Sequence, residues 1–192
     1  MNQVMLSILR KLFQSYLIFS THARLFVYKL LGFRIGRNVV ICKGNRFPVF
    51  NLKNIIIGDN VSIKKGGWFF LPADNKESKI MIGGGTHIGE RVVLSSNSYI
   101  KIGKKCLLSY NVSILDHDHI FEKNVSPVES GIMRGNPVEI GDNCFIGCNV
   151  VILKGVNLAD GCVVGANSVV TQSFEKNSVI VGAPAKLIKR LD

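Results

Sequence analysis

Residues 140–170 read IGDNCFIGCNVVILKGVNLADGCVVGANSVV. An aliphatic residue recurs there at every sixth position without a slip, at Ile140, Ile146, Ile152, Leu158, Val164 and Val170. Small residues keep the same step four positions later, at Cys144, Val150, Val156, Cys162 and Ser168. A six-residue period matches neither the 3.6-residue turn of a helix nor the two-residue alternation of a strand. It predicts a chain that turns a corner every six residues and stacks three-sided coils into a parallel β-helix.

The same period occurs earlier in the chain, in separate phases. The aliphatic and aromatic residues that keep the step are Ile35 and Ile41; Ile57, Ile63 and Phe69; Ile82, Ile88, Leu94 and Ile100; and Ile102, Leu108 and Ile114. Each phase jump marks a place where a loop leaves the coil, and the longest jump predicts a protruding loop at about 115–139. We therefore expect an all-β fold, with an N-terminal helical segment over 1–33 and a β-helix domain with a short C-terminal tail over 34–192.

The positive charge of the chain is concentrated at its N-terminal end. The 192 residues carry a net charge of +11, yet no acidic residue precedes Asp59, and nine Lys and Arg residues lie before it. A block of positive charges beside apolar stretches indicates that this segment lies near an anionic surface. Because these basic residues alternate with apolar helix positions rather than with stacking aromatics, nucleic acid is not an expected partner.

The N-terminal segment predicts an amphipathic helix. Its apolar residues recur at steps of three and four, at Met5, Ile8, Leu9, Leu12, Phe13, Tyr16 and Phe19. Arg10 and Lys11 interrupt the apolar run well short of the ~20 residues that span a bilayer, and no signal-peptide pattern is present. Two compatible interpretations stay open: the segment caps the open end of the β-helix, or it rests on an anionic membrane.

The five cysteines have no paired spacing that would indicate a disulfide framework or a zinc site. Cys106, Cys144 and Cys162 occupy the small-residue position of the repeat, so we expect buried, stacked thiols. A reducing compartment fits this use of cysteine. The predicted localisation is therefore cytoplasmic, with peripheral contact at the inner face of the membrane as the alternative given by the basic N-terminus.

Titratable groups are densest where the predicted loop leaves the coil. Leu115 is followed by Asp116, His117, Asp118 and His119, and Glu122 comes shortly after. A neutral imidazole can accept a proton near pH 7, and a neighbouring carboxylate can fix its tautomer and raise its basicity. Loops projecting from a rigid scaffold often carry function, so this segment is the candidate catalytic site.

From about Ile35 to Arg190 the sequence resembles the hexapeptide-repeat acyltransferases, in particular the maltose/galactoside and cell-surface polysaccharide O-acetyltransferases. The resemblance is carried by the repeats and by residues 114–119, 137–147, 164–171 and 181–189. It implies a left-handed parallel β-helix, a homotrimer with active sites between subunits, and acetyl-CoA as co-substrate without a metal. Counted ungapped from Ile102, the family's catalytic histidine falls on His119, with His117 as the fallback. Asp116, Asp118 or Glu122 would orient the imidazole.

The resemblance also implies binding residues. The pantetheine arm and nucleotide phosphates of CoA would contact Gly147, Cys148, Ala166, Thr171, Gln172, Lys186, Lys189 and Arg190. The family commonly has a lysine where this chain has Gln172, so one phosphate contact would differ. Ser95 and Asn97, one coil before the histidines, are candidate contacts for a saccharide acceptor. The predicted reaction is acetyl transfer to a saccharide hydroxyl in surface-polysaccharide synthesis, on a lipid-linked or nucleotide-activated acceptor.

Two other functions are open to the same fold. A zinc-dependent carbonic anhydrase-like enzyme needs three convergent imidazoles, and His87, His117 and His119 are enough in number. The His-x4-His spacing typical of such enzymes is absent, however. A non-catalytic β-helix assembly protein is the other alternative, although it would not need two histidines beside carboxylates.

Overall fold

The computed structural model of the protein describes residues 23–48, 50–121, 123–131 and 135–192. These residues form a parallel β-solenoid, because short strands separated by corners fall into three sheets. Paired neighbours within each sheet lie one coil apart, as Ile82 with Ile102 and Ile146 with Val164. The fold class expected from the six-residue period is confirmed.

In chain order along each solenoid face, the described strands are as follows. Sheet A contains β1 (Arg34–Ile35), β3 (Ile55–Ile57), β6 (Lys79–Ile82), β9 (Tyr99–Ile102), β12 (Val138–Ile140) and β15 (Asn157–Leu158). Sheet B contains β2 (Val40–Ile41), β4 (Ser62–Ile63), β7 (His87–Ile88), β10 (Leu107–Leu108), β13 (Phe145–Ile146), β16 (Val163–Val164), β18 (Ser178–Gly182) and β19 (Ala185–Arg190). Sheet C contains β5 (Trp68–Phe70), β8 (Val93–Ser95), β11 (Ser113–Leu115), β14 (Val151–Ile152) and β17 (Val169–Val170).

The solenoid core is made by the side chains that keep the six-residue period. All six aliphatic residues from Ile140 to Val170 are 0% exposed, as are Ile63, Phe69 and Leu94 in the earlier coils. Each such burial contributes roughly 1.5–3 kcal/mol. The predicted small-residue position is also confirmed, since Cys106, Cys144 and Cys162 are buried with free thiols.

The corners of the solenoid are held by asparagines in the left-handed conformation. Asn111, Asn149 and Asn167 have φ of 57°, 57° and 61°, a region that asparagine tolerates better than most residues. Their side chains form a ladder, in which Asn111 Nδ2 donates to Asn149 Oδ1 at 3.0 Å and Asn149 Nδ2 donates to Asn167 Oδ1 at 2.9 Å. Each coil is therefore fixed to the next by its corner as well as by its strands.

The first coil is covered by helix α1, residues 23–30. Leu25 and Tyr28 pack against the core, and the Tyr28 ring lies 5.1 Å from Phe33 and 5.3 Å from Phe47. The described part of the N-terminal segment therefore packs against the core at the first coil, while the predicted helix before residue 23 lies outside the described residues. Within the described chain, no helix combines the length and apolarity needed to cross a membrane.

Two further helical turns and one hairpin complete the described elements. A 3-10 turn spans Leu52–Asn54, and α2 spans Pro127–Ser130, with Ser126 Oγ accepting from Val128 N at its start. The latter lies in the loop of residues 116–137 between β11 and β12, as the sequence predicted. At the other end, β19 turns back antiparallel on β18 after a cis Ala183–Pro184 bond.

Candidate active site

The centre of the candidate site is a carboxylate buried at the point where the loop leaves sheet C. Asp116 directly follows β11 and is 0% exposed. Its oxygens accept hydrogen bonds from Ser96 Oγ at 2.6 Å, Asn97 N at 2.7 Å and Ser98 N at 2.9 Å. All three donors lie on the turn after β8, one coil earlier. The carboxylate therefore has one fixed orientation before any substrate binds.

His117 completes this arrangement. Its Nδ1 lies 2.9 Å from Asp116 Oδ1, and its side chain is 11% exposed. Burial raises the pKa of Asp116, but the hydrogen bonds from His117, Ser96 and the two backbone amides outweigh it and hold that pKa below its ordinary value. Asp116 is thus an anion at neutral pH and accepts from Nδ1–H of His117. This tautomer leaves the Nε2 lone pair free to accept a proton.

The other titratable residues of the segment are placed differently. Asp118 pairs with Lys154 on the next coil, with 2.6 Å between Oδ2 and Nζ. His119 is exposed and makes no hydrogen bond to the described residues. The structure therefore brings Asp116 and His117 together and leaves His119 and Asp118 apart from them. Glu122, the third candidate carboxylate, lies outside the described residues.

The loop beyond His119 is tied back on itself. Ile120 N donates to Gly131 O at 3.1 Å, and Ser130 Oγ donates to Ile120 O at 2.6 Å. At the base of the loop, Asn136 N donates to Asp116 O at 2.7 Å. These bonds close the loop at both ends and keep the Asp116 turn from opening.

The two predicted acceptor contacts lie beside the turn that carries Asp116. Ser95 O accepts from Asp116 N at 3.3 Å, and the Ser95 side chain is on the outward face of β8. Asn97 binds Asp116 through its backbone, and its side-chain oxygen accepts from Asn75 Nδ2 at 3.1 Å. A polar cleft of about 340 Å³ adjoins Asn97 and is lined by Asn75, Glu77, Lys79, Asn97, Ser98 and Tyr99. Neither Ser95 nor His117 lines this cleft.

Ser96 and Ser98, which donate to the Asp116 carboxylate, were not among the residues predicted from the sequence. The available signal was the run Ser95–Ser98 one coil before Asp116. The spacing of 20 residues between Ser96 and Asp116 differs from the 18 of the later regular coils, since β8 and β11 are joined by a slightly longer path. Counting in steps of 18 residues therefore does not place Ser96 beside Asp116.

The residues predicted to hold CoA fall into three places. Gly147, Cys148 and Ala166 lie together at the corner after β13 and β16, where a Cβ on Gly147 would come within 2.6 Å of Ala166 N. Thr171 and Gln172 are exposed directly after β17, two coils beyond β11 on sheet C. Lys186, Lys189 and Arg190 are exposed on β19, where Arg190 also pairs with Glu175. Gly147, Cys148 and Ala166 precede strands of sheet C, whereas Thr171 and Gln172 follow one. The two groups therefore lie at opposite ends of these strands.

The histidines do not assemble a metal site in the described part of the chain. His87 lies on sheet B, where its Nδ1 is 2.6 Å from Ser62 Oγ. His117 and His119 follow sheet C instead. Among residues 23–48, 50–121, 123–131 and 135–192 no group of three or more His, Cys, Asp or Glu side chains is placed to hold a metal ion.

Comparison with known proteins agrees with this architecture. A family model described as the hexapeptide repeat of succinyl-transferase matches residues 137–172. The chain is 33% identical over 180 residues to the putative lipopolysaccharide biosynthesis O-acetyl transferase WbbJ of Escherichia coli, covering 85% of this chain and 90% of that protein. It is 42% identical over 113 residues to a putative acetyltransferase of Dictyostelium discoideum, of which it spans only 57%.

A solved structure shares the fold. AntD, an N-acyltransferase from Bacillus cereus in complex with dTDP and 3-hydroxybutyryl-CoA, superposes with a TM-score of 0.70 at 24% identity. The match covers 85% of this chain and 86% of AntD. The stacked coils, the six-residue period and the similarity to WbbJ over nearly its whole length lead to one conclusion: the chain belongs to the hexapeptide-repeat acyltransferase family.

Proposed function

We propose that this protein transfers an acetyl group from acetyl-CoA to a hydroxyl of a saccharide, with His117 as the general base. The observation that carries the proposal is the hydrogen bond between buried Asp116 and His117. An ionised carboxylate on Nδ1 supports the positive charge that the imidazole gains when Nε2 takes a proton. His119, the first choice by ungapped counting, has no such partner among the described residues.

The chemistry proceeds by proton transfer at Nε2 of His117. The imidazole removes the proton of the acceptor hydroxyl while that oxygen forms a bond to the thioester carbonyl carbon. The tetrahedral intermediate then expels the thiolate of CoA, and the imidazolium returns its proton to that sulfur. The products are the acetyl ester and free CoA, and His117 ends neutral. Backbone N–H groups of a neighbouring coil are the donors we expect at the oxyanion.

The donor binds along the C-terminal coils and the acceptor along the N-terminal ones. Gly147, Cys148 and Ala166 form a corner without large side chains, which suits a narrow pantetheine arm. Lys186 and Lys189 are exposed cations on β19 and suit the nucleotide phosphates, with Arg190 beside them. Ser95 and Asn97 lie on the opposite side of His117 from Thr171 and contact the saccharide.

The acceptor is a lipid-linked or nucleotide-activated saccharide of surface-polysaccharide synthesis, such as O-antigen, capsule or exopolysaccharide. Support comes from the similarity to WbbJ, which is described as a putative lipopolysaccharide biosynthesis O-acetyl transferase, and from the dTDP bound to AntD. The protein works in the cytoplasm, where acetyl-CoA is available and the five free thiols stay reduced.

Contact with the inner face of the membrane fits the surface of α1. Its inward residues pack against the core, while Phe26 and Leu30 are exposed beside Lys29, as is Leu31 directly after the helix. Cations flanking exposed apolar side chains favour anionic lipid surfaces. The wild-type protein should sediment with phosphatidylglycerol vesicles, and a Leu30→Ser/Leu31→Ser variant should stay in the supernatant, with phosphatidylcholine vesicles as the control. If both proteins sediment equally, the proposed membrane contact of these residues is wrong.

A homotrimer follows from the family resemblance and is consistent with the outward face of sheet B. Val40, Leu107 and Phe145 expose apolar side chains along that face. Light scattering coupled to size-exclusion chromatography should give three times the 21.1 kDa chain mass. A monomer at micromolar concentration would contradict the trimer.

The function itself is tested by titration calorimetry with acetyl-CoA and CoA, followed by thioester turnover on a saccharide panel. Saturable binding of both nucleotides and turnover that depends on a saccharide are the expected results. Binding of neither nucleotide would favour the non-catalytic assembly protein. Turnover without saccharide dependence would reject the acceptor class while retaining the use of CoA.

A further inference from the structure

Two aromatic residues lie on the outward face of the first strand of sheet C. Trp68 is 51% exposed and Phe70 is half-buried, with ring centroids 6.1 Å apart and an interplanar angle of 69°. The intervening Phe69 points into the core. About half of the Trp68 side chain stays exposed, and its broad apolar ring with a polar N–H suits a ligand of mixed polarity.

This aromatic pair is joined to the catalytic turn by the register of sheet C. Phe70 pairs with Ser95, and Ser95 pairs with Leu115, the residue before Asp116. The connection is also hydrogen-bonded, since Ser96 N donates to Phe70 O at 3.0 Å and Ser96 Oγ donates to Asp116. Phe70 lies two strand spacings, about 9–10 Å, from Leu115, and Trp68 lies two residues further from the turn along the strand. The first of these separations is close to the length of a disaccharide.

The aromatic pair lies on the acceptor side of the turn. Thr171, a predicted CoA contact, follows β17 on the far side of β11 in the same sheet. The outward face of sheet C therefore runs from Trp68, past the turn that carries His117, to Thr171. The identification of the Thr171 side as the side that binds the acetyl donor rests on the proposed function.

The surroundings of Trp68 supply polar groups for a sugar ring. Arg46 is the parallel backbone bridge partner of Trp68 on the preceding coil, and its side chain is exposed. On the following coil Val93 is the partner of Trp68, and Ser95 is the partner of Phe70. The C–H face of a pyranose packs on an aromatic ring while its hydroxyls, at the ring edge, need donors and acceptors such as these.

We propose that Trp68, flanked by Phe70 and Arg46, stacks against a second pyranose ring of the acceptor when the first ring presents its hydroxyl to His117. The protein then recognises a disaccharide or longer saccharide rather than a single sugar. No role in the chemical step is assigned to Trp68. It sets the length of saccharide that binds well.

The test uses the fact that Trp68 is the only tryptophan of the chain. Its fluorescence in the full-length protein reports directly on this surface, whether or not acetyl transfer occurs. Maltose, cellobiose, lactose and diacetylchitobiose are titrated beside glucose, galactose and dTDP. We expect a saturable change with at least one disaccharide, at a concentration at least tenfold below that needed for its monosaccharide. The proposal would be overturned if dTDP alone changed the fluorescence, or if none of the saccharides changed it.

Kinetics with variants provide the second arm. Trp68→Ala should raise KM for the disaccharide acceptor at least tenfold, leave KM for acetyl-CoA unchanged, and be largely rescued in Trp68→Phe. Phe50→Ala, a change at another exposed aromatic residue (62%), is the control and should behave as wild type. If Trp68→Ala instead changes the oligomeric state, Trp68 packs against a second copy of the chain and the proposal is wrong. If a disaccharide changes the fluorescence of the wild-type protein but the protein transfers no acetyl group, the proposed function is wrong and the proposed contact with Trp68 stands.

Discussion

The hydroxyl of Ser96 lies 2.6 Å from the carboxylate of Asp116, although 20 residues separate them in the chain. Both groups are 0% exposed. This contact joins the turn after β8 to the turn after β11, so the base of the protruding loop is fixed by the coil before it. The orientation of His117 depends on that contact through Asp116.

Removing the Ser96 hydroxyl should weaken both stability and activity. In Ser96→Ala the buried carboxylate loses a donor, which costs about 1–3 kcal/mol of unfolding free energy for a bond to a charged group. We expect kcat to fall while KM for acetyl-CoA stays constant. Urea denaturation and steady-state kinetics measure the two effects. Ser113→Ala, on the outward face of the same sheet, is the control, and equal losses in both variants would contradict the account.

Asp116→Asn should impair catalysis by favouring the wrong tautomer of His117. The amide can donate to Nδ1, which places the imidazole proton on Nε2 and removes the acceptor. We expect kcat to fall about 10²–10⁴-fold, the usual contribution of general-base catalysis. Acetyl-CoA affinity by calorimetry should not change. A variant that binds CoA normally and turns over at the wild-type rate would exclude this role.

The same residue predicts a pH dependence of stability. Because the pKa of Asp116 is lowered in the folded protein, its ionised form contributes stability that is present above its unfolded pKa of about 3.8 and is lost as pH falls through the folded pKa. The difference in unfolding free energy between wild type and Asp116→Asn should thus be constant above about pH 5 and shrink towards acid. A difference that grows on acidification would have the opposite sign and contradict the lowered pKa.

The asparagine ladder makes a prediction that separates backbone conformation from hydrogen bonding. Asn149→Ala should lose about 1–2 kcal/mol or more of unfolding free energy, since it removes two amide bonds and places alanine at φ 57°. Asn149→Gly removes the same bonds but tolerates the conformation, so it should recover part of the loss. If both variants unfold at the same urea concentration, conformation contributes nothing at this corner.

Neighbouring residues of β14 test which positions face the core. Ile152 is 0% exposed and Val151 points outward. Ile152→Ala should cost about 2–5 kcal/mol through lost burial and a cavity, whereas Val151→Ala should cost much less. Thermal and urea denaturation give the comparison. A reversed order would mean that the inward set is misassigned.

The six-residue period was sufficient to predict the fold and the inward residues. Ile140, Ile146 and Ile152 are buried because a regular corner leaves one inward position per strand, and such a pattern is visible in sequence. The place of the loop was equally predictable, since Ile114 and Ile140 are out of phase. These features depend on local spacing alone.

The partner of the buried carboxylate was not predictable in the same way. Counting from Ile102 gives a position along the chain, but whether His117 or His119 faces Asp116 depends on the turn that the backbone makes after Leu115. The contact with Ser96 depends on the length of the path between β8 and β11, which the period does not specify. The sequence therefore predicted the candidate segment and its residue types, while the pairing within it needed three dimensions.

The most direct test of the central claim compares His117→Ala with His119→Ala in one assay of acetyl transfer to a saccharide, after calorimetry has shown that both bind acetyl-CoA. We expect kcat to fall about 10²–10⁴-fold in His117→Ala and less than about tenfold in His119→Ala. The reverse order, with His117→Ala active and His119→Ala inactive, would contradict the assignment of His117 as the general base.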